Sequence, residues 1–189
     1  MTIIAHMRKV IAAINMTLDG VCDHTVGIVD EELHQHYSEL IKNSGVILYG
    51  RVTFHLMQFW QSLLKNPSGD KPMDDFAIDI DKIQKLVFSN TMKDTEWDSA
   101  RLVHRPPGEV IMELKKQSGN DILVGSRSLI IQLLKLNLID EFQLCIHPMV
   151  AGGGLKLFEN INESKVFILK QIRTLPGGQL VIYYEPKYE

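Results

Sequence analysis

Short unbroken apolar runs, each ended by glycine or a polar cluster, alternate with stretches of helical periodicity along most of the chain. Val46-Ile47-Leu48-Tyr49 runs into Gly50-Arg51-Val52-Thr53-Phe54, and Ile122-Leu123-Val124 runs into Gly125-Ser126-Arg127-Ser128-Leu129. Each reads as a strand covered on both faces, then a glycine, then the hydroxyl-bearing first turn of a helix. The apolar run at residues 9–14 is a further strand of this kind, followed by polar, turn-prone residues 15–23. From Val29 a helix is predicted: Asp30 caps it, Glu31 and Glu32 suit its positive end, and Leu33, Tyr37, Leu40 and Ile41 repeat at helical spacing. Gly45 closes that unit, and a helix runs from residue 51 to about 60.

Residues 66–72 form a Pro/Gly-rich loop leading to a peripheral helix that includes Phe76, Ile80 and Ile83. Strands are predicted at 85–88 and 100–104, a break at Pro106-Pro107-Gly108, and helices over 109–116 and 128–136. In the last third, 142–147, 166–172 and 180–184 read as strands separated by short glycine turns, which suggests antiparallel pairing. Together these elements predict a single α/β domain over 1–189: a three-layer α/β/α arrangement with a central mixed, mostly parallel sheet and an antiparallel C-terminal edge.

Composition narrows the function classes. The 189 residues carry a net charge of −3 and are 45% hydrophobic, with basic residues scattered rather than clustered. This excludes a polyanion-binding face of the usual kind, so neither nucleic acid nor an acidic membrane is an expected partner. No apolar run approaches the ~18–20 residues needed to span a bilayer. The start, Met1 to Lys9, places its charges after the first apolar residues and lacks a cleavage-like break, so it is not read as a signal peptide. Cys22 and Cys145 make neither a disulfide framework nor a thiolate metal knuckle. A cytoplasmic enzyme or binding protein is the expectation.

The chemistry lies at strand ends. A helix start leaves backbone N–H groups unpaired and carries partial positive charge, so it suits an anion. Asp19, Gly50, Ser89 and Gly125 all fall just after predicted strands, the edge at which open α/β sheets take ligands. Two glycine-led helix starts in one small domain suggest a ligand with separated phosphates, such as a dinucleotide; ordinary strand-to-helix turns are the alternative.

Several motifs in register carry a family resemblance. Ala12-Ala13 with Thr17-Leu18-Asp19-Gly20 resembles the first strand and loop of the dihydrofolate-reductase-like family, which includes the reductase domain of the riboflavin-pathway deaminase–reductase. Tyr49 to Phe54 is similar to its G-R-x-T-aromatic turn, and Ile122 to Leu129 to its glycine turn before a helix. Leu138-Ile139-Asp140-Glu141-Phe142, His147-Pro148, Gly152-Gly153-Gly154 and Leu157-Phe158 resemble its late L-I-D-E … H-P … G-x-G … L-F pattern. The resemblance implies NADPH as hydride donor, a small pterin- or pyrimidine-type acceptor, and a homodimer. By matching position it assigns cofactor phosphate to Gly50, Arg51 and Thr53 and to Gly125, Ser126, Arg127, Ser128 and Leu129, and the nicotinamide surroundings to Ala12 and Ala13. Ser89 and Asn90 stand where the family often has Ser-Arg for the 2′-phosphate. A neutral amide cannot replace that arginine's charge or fork, which opens NADH as an alternative, with Lys93 a possible substitute cation.

Substrate contacts are expected from Asn15, Thr17, Asp19 and Phe54. Asp19 is the candidate acid–base group, since hydride transfer to C=N or C=O needs a nearby proton; its plainer reading is an Asp-Gly turn residue. Asp30 or Glu32 are further carboxylates, more simply helix caps. Tyr37, Met57, Phe59 and Trp60 suit either a ring pocket or core packing. His34 and His36, two apart, read as solvated surface residues rather than a metal pair, and Asp23-His24 lacks a second ligand pair. No metal is expected. His147-Pro148 reads as strand-end packing, Gly152 to Gly154 as a flexible turn, and Cys22 lacks a neighbouring base. The chain has no H-x-E with a downstream P-C-x-x-C, so the zinc deaminase chemistry is missing. The two functional readings are an NAD(P)H-dependent reductase and a non-catalytic nucleotide- or pterin-binding protein.

Overall fold

Alternate residues of the buried strands feed two separate cores, one on each face of a single sheet. The computed structural model describes residues 7–159 and 161–188, so the reading of Met1 to His6 lies outside the described residues. The elements in chain order are β1 (Val10–Thr17), α1 (Glu31–Lys42), β2 (Ser44–Gly50), α2 (Arg51–Lys65), α3 (Lys71–Lys82), β3 (Gln84–Phe88), β4 (Ala100–Val103), α4 (Pro107–Lys115), β5 (Asp121–Val124), α5 (Arg127–Lys135), β6 (Glu141–His147), β7 (Val166–Thr174) and β8 (Leu180–Lys187). The strands form one sheet in the order β4-β3-β2-β5-β1-β6-β8-β7. Strands β1 to β6 are mutually parallel, while β8 runs antiparallel to both β6 and β7.

Because side chains alternate along a strand, Val10, Ala12, Val46, Leu48, Ile122 and Val124 meet α4 and α5 through Val110, Ile111, Ile130, Leu133 and Leu134. Their neighbours Ile11, Ala13, Ile47, Tyr49 and Leu123 meet α1, α2 and α3 through Leu40, Ile41, Phe54, Phe76 and Ile80. This is the three-layer arrangement expected from continuous apolar strands. No helix among the described residues is long and apolar enough to cross a membrane.

Three expectations change. Helix α3 is not peripheral: Phe76 and Ile80 are buried, it packs between α1 and α2, and Ile83 follows it as the C-cap. Strands β6 and β7 are not joined by a short turn. An 18-residue connection, 148–165, separates them, and β8 lies between them in the sheet. The histidines of α1 are not solvated, because α3 and the strand layer flank that helix. His36 is only 4% exposed and stands edge-on to Tyr37, while His34 packs against Trp60 and Phe76. Burial lowers both imidazole pKa values.

His147 does pack at a strand end, and it does more. Its Nδ1 accepts the Ile28 N–H at 2.9 Å, fixing the chain that enters α1. Phe54 is fully buried among Tyr49, Val87 and Trp97 on the α1–α3 side, so it is a core residue and not a substrate contact. The inner face of α2's first turn is sealed by the sheet. Phe54→Ala should therefore lower unfolding free energy by about 3–5 kcal/mol, the usual cost of an emptied aromatic site. Urea denaturation measures it, and a loss under about 1 kcal/mol would return Phe54 to the ligand side.

Candidate functional site

The carboxyl ends of β2, β3 and β4 open into a cleft of about 530 Å³. Its walls are the first residues of α2 (Arg51, Val52, Thr53) after Gly50, the turn after β3 (Ser89, Asn90), the segment from Val103 to Pro107 that enters α4, and Ser128, Leu129 and Gln132 of α5. Three helices thus begin at this cleft.

Their starts differ from those of the other two helices. Helix α1 is capped by the Asp30 carboxylate, which accepts the Leu33 N–H, and α3 by Asp70, which accepts the Met73 N–H. Helices α2, α4 and α5 have no side-chain cap. Acidic residues occupy the first turns of α1, α3 and α4, whereas α2 and α5 have none and begin with Arg51 and Arg127. A cation at the positive end of a helix is unfavourable by some tenths of a kcal/mol. Uncapped amides beside arginines are the arrangement an anion would complete.

Ser126 explains why α5 lacks a cap although a serine stands at its N-cap position. That hydroxyl is fully buried and accepts the Gly50 N–H at 2.8 Å, 76 residues away. The two glycine turns are bolted together, so Ser126 positions the cleft and its side chain does not face a ligand. Gly50 itself lies close to Ser128: a Cβ there would come within 3.2 Å of the Ser128 hydroxyl. Arg127 turns away toward the 148–165 connection, where Nε donates to the Lys156 carbonyl at 2.7 Å and Nη2 lies 3.4 Å from Glu159. Leu129 touches the cleft but is mainly core. Ala12 and Ala13 are buried, one in each core. Gly125 lies at the end of β5, its N–H bonded to the Leu48 carbonyl.

The first-strand residues form a second cluster beyond the end of β5. Asn15 accepts the Tyr37 phenol hydrogen at 3.0 Å. Thr17 is buried, donates its hydroxyl hydrogen to Asp19 and accepts the Val21 N–H at 3.1 Å. Asp19 also accepts the N–H groups of Ala151 (3.0 Å) and Gly152 (2.9 Å). The Thr17 hydroxyl, then the Ala151 and Gly152 amides, pull its pKa down to about 2. Asp19 is an ionised clasp between the end of β1 and the chain after β6, a different state from the protonated acid expected of a proton donor. Cys22 is half-buried with its thiol directed to the Leu155 carbonyl, and burial raises its pKa.

Sequence reasoning missed His104, Arg105 and Gln132, which line the cleft. His104 immediately follows β4, which ends at Val103, one residue short of the predicted strand 100–104, so the strand-end rule points to it only at the observed boundary. Lys93 is not among the lining residues.

Residues 8–181 match the family described as the RibD C-terminal domain. The uncharacterized protein YyaP of Bacillus subtilis (strain 168) is 32% identical over 181 residues, covering 94% of each chain. Among solved structures, a protein assigned to riboflavin biosynthesis from Shewanella sp. PV-4 superposes with a TM-score of 0.70 at 21% identity, over 95% of this chain and 99% of that one. Dihydrofolate reductase from Enterococcus faecalis, solved with NADP(H), superposes with a TM-score of 0.59 at 12% identity, over 95% of this chain and 97% of that one. The low-identity superpositions establish a dihydrofolate-reductase-like fold, and the match over nearly the whole sequence places this chain in the RibD C-terminal domain family.

Proposed function

We propose that this protein is an NADPH-dependent reductase that delivers hydride to a small pterin- or pyrimidine-type heterocycle. The observation that carries the reading is the division among the helices. Those away from the cleft are capped by aspartate, and the three that open into it are not. Backbone amides of α2, with the Thr53 and Ser128 hydroxyls, would hold phosphate, and Arg51 would balance its charge. The missing Cβ at Gly50 keeps the space beside Ser128 open. When bound, the nicotinamide supplies the hydride.

The protein's own part is to hold the reactants and to exclude competing groups. Asp19 supports the site by fixing the loop at Ala151 and Gly152. Asp30 is similarly committed, capping α1 while accepting from the Gln179 amide at 2.9 Å. Both carboxylates are thereby engaged in holding the fold. The same engagement favours the second reading, a binding protein that holds a dinucleotide or pterin without turnover.

A homodimer through the sheet edge is also proposed. Strand β7 is outermost and exposes Val166, Ile168, Leu169 and Ile172, each about half accessible. Such an apolar edge calls for cover. Sedimentation of the protein at micromolar concentration should give a dimer, and Ile168→Lys with Ile172→Lys should give a folded monomer. A monomeric unmodified chain would remove this proposal.

Gly50→Asp tests the cleft. It offers α2 a carboxylate cap, and its Cβ, 3.2 Å from the Ser128 hydroxyl, requires that side chain to turn aside, so the melting temperature should stay close to that of the unmodified protein. The same charge occupies the anion position, and NADPH affinity by titration calorimetry should fall more than tenfold. Unchanged affinity would place the dinucleotide elsewhere. Turnover is then read as NADPH oxidation against a panel of pterins and pyrimidines; tight binding without oxidation selects the binding reading.

Asp19 has its own test. Its folded pKa is depressed, so its stabilising effect is complete above the usual carboxylate pKa of about 4 and is lost as pH falls through about 2. The melting-temperature gap between the unmodified protein and Asp19→Asn should be full at pH 5 and close toward pH 2. A gap of equal size at both pH values would show that ionisation is not what holds the loop.

A further inference from the structure

The sheet has two open edges, and they differ. Strand β7 is long, and its cations are matched: Lys170 lies 3.0 Å from Glu185 and Arg173 3.8 Å from Glu39. Strand β4, at the other end of the sheet, has four residues and pairs with β3 alone. The Ser99 carbonyl accepts the Lys85 N–H at 2.8 Å, and the Val103 carbonyl accepts the Ser89 N–H at 3.3 Å. In a parallel ladder successive residues turn their main-chain groups to opposite sides. Arg101 and Val103 therefore direct theirs to β3, while Ala100 and Leu102 direct theirs outward. Ala100 is covered, its N–H donating to the Trp97 carbonyl at 2.8 Å and its carbonyl accepting the Thr95 hydroxyl hydrogen at 3.1 Å. The N–H and C=O of Leu102 have no partner among the described residues.

Beside this opening, a groove of about 350 Å³ runs between β4 and α4. Its apolar floor is Leu86, Val103, Val110 and Leu114, which belong to or pack on the core beneath α4. Side chains alternate across a strand, so Arg101 stands on the same face as Val103 and lines the groove with it. Arg101 is exposed and forms no ion pair among the described residues. The carboxylates of α4 do not answer it. Glu113 meets the terminal nitrogens of Arg105 at 2.8 and 2.6 Å, and Glu109 lies 3.5 Å from the same guanidinium. The edge thus combines an open main-chain pair, an apolar groove and one uncompensated positive charge.

We infer that the β4 edge takes an extended segment of a partner protein as one more strand, with an acidic side chain at Arg101 and an apolar one, two residues away, in the groove near Val103. Strand addition draws affinity from main-chain bonds and specificity from seats for alternate side chains. The spacing of two follows from that alternation, since Arg101 and Val103 share a face. A second copy of the chain fits poorly. Two β4 edges pairing about a two-fold axis would bring two uncompensated guanidinium groups onto one short ladder, with no free carboxylate between them. A charge on a short edge strand is an ordinary guard against self-pairing, and a foreign acidic strand removes the obstacle. The inference is independent of the dinucleotide reading. The groove adjoins the cleft at residues 103–105 but extends away from it to Gln117, and Arg101 does not line the cleft.

The probe is a fluorescein-labelled peptide, Thr-Glu-Thr-Ile-Thr-Glu-Thr, which presents glutamate two residues from isoleucine whichever way the strand runs. Anisotropy with the full chain at low ionic strength should show saturable binding below about 1 mM. Arg101→Glu should weaken it by about tenfold or more, and a peptide with lysine at both glutamate positions should bind that variant in its place. Leu102→Pro removes the open N–H at an edge position where proline is tolerated, and should weaken binding as much. Methylating the amides of the two threonines that flank isoleucine makes the same test on the unmodified chain. No saturation up to about 1 mM overturns the inference. So does equal binding by Arg101→Glu. Equal binding of the methylated peptide shows adsorption of a carboxylate without strand addition, and overturns it too. A dimer that survives Ile168→Lys with Ile172→Lys but dissociates on Leu102→Pro assigns the edge to a second copy and overturns it as well.

Discussion

Parallel strand pairing is the constraint from which the rest follows. Two parallel neighbours cannot be joined by a hairpin and need a crossover that returns the chain to the same end. With β1 to β6 all parallel, every strand-to-helix turn opens at one edge of the sheet. Helix starts whose amides have no partner within their own helix are thereby gathered in one place. The cleft between α2, α4 and α5 is thus a property of the topology, and the local residues decide only whether each helix start is closed or left open. Here α1 and α3 are closed by aspartate, and the other three are left open.

Leaving them open has a structural cost, and Ser126 shows how the fold meets it. A serine at an N-cap ordinarily stabilises its own helix by about 1 kcal/mol. This one bonds instead to Gly50, on the far side of the β2–β5 pair. The bond joins the two turns whose separation sets the width of the cleft. Local helix stability is exchanged for a fixed distance between two uncapped helix starts, the kind of preorganisation that lowers the cost of binding. Because the hydroxyl is wholly buried, replacing it by alanine would leave the Gly50 N–H unsatisfied and cost more than the loss of an exposed cap.

The architecture was legible because it rests on short-range patterns: apolar runs of strand length, Asp30 before a helical repeat, glycine after a strand. Other features depended on distant partners. Ser126 and Thr53 look alike as hydroxyls in helix first turns, and only the approach of Gly50 shows that Ser126 is buried. Asp19 sits in an Asp-Gly pair that reads equally as turn or acid, and the amides that decide the matter lie 132 and 133 residues away. Lys85 was placed in the right strand, yet nothing in its neighbours implied full burial. Its ammonium is enclosed by the Asp81 and Ile83 carbonyls, the Ser99 hydroxyl and the Trp97 ring. His36 was misplaced for a related reason, since helical periodicity locates one buried face and does not show that a second layer covers the other.

The connection 148–165 folds back on the end of β1: Leu18 N–H meets the Met149 carbonyl, Cys22 N–H the Leu155 carbonyl, and Leu157 N–H the Gly20 carbonyl. Val21 and Lys156 form an antiparallel bridge there. At Gly154, with φ +123°, a Cβ would approach Val21 within 2.8 Å, so this crossing admits only glycine. Arg127 fastens the same connection to the start of α5, and Asp19 fastens it to β1. The connection is therefore a wall held at several points by backbone bonds, and its Val150 and Leu155 side chains stay exposed. Such a wall accepts substitution at its apolar rim without disturbing the sheet. The fold thereby separates a cleft built by topology from a loop whose apolar rim is free to vary.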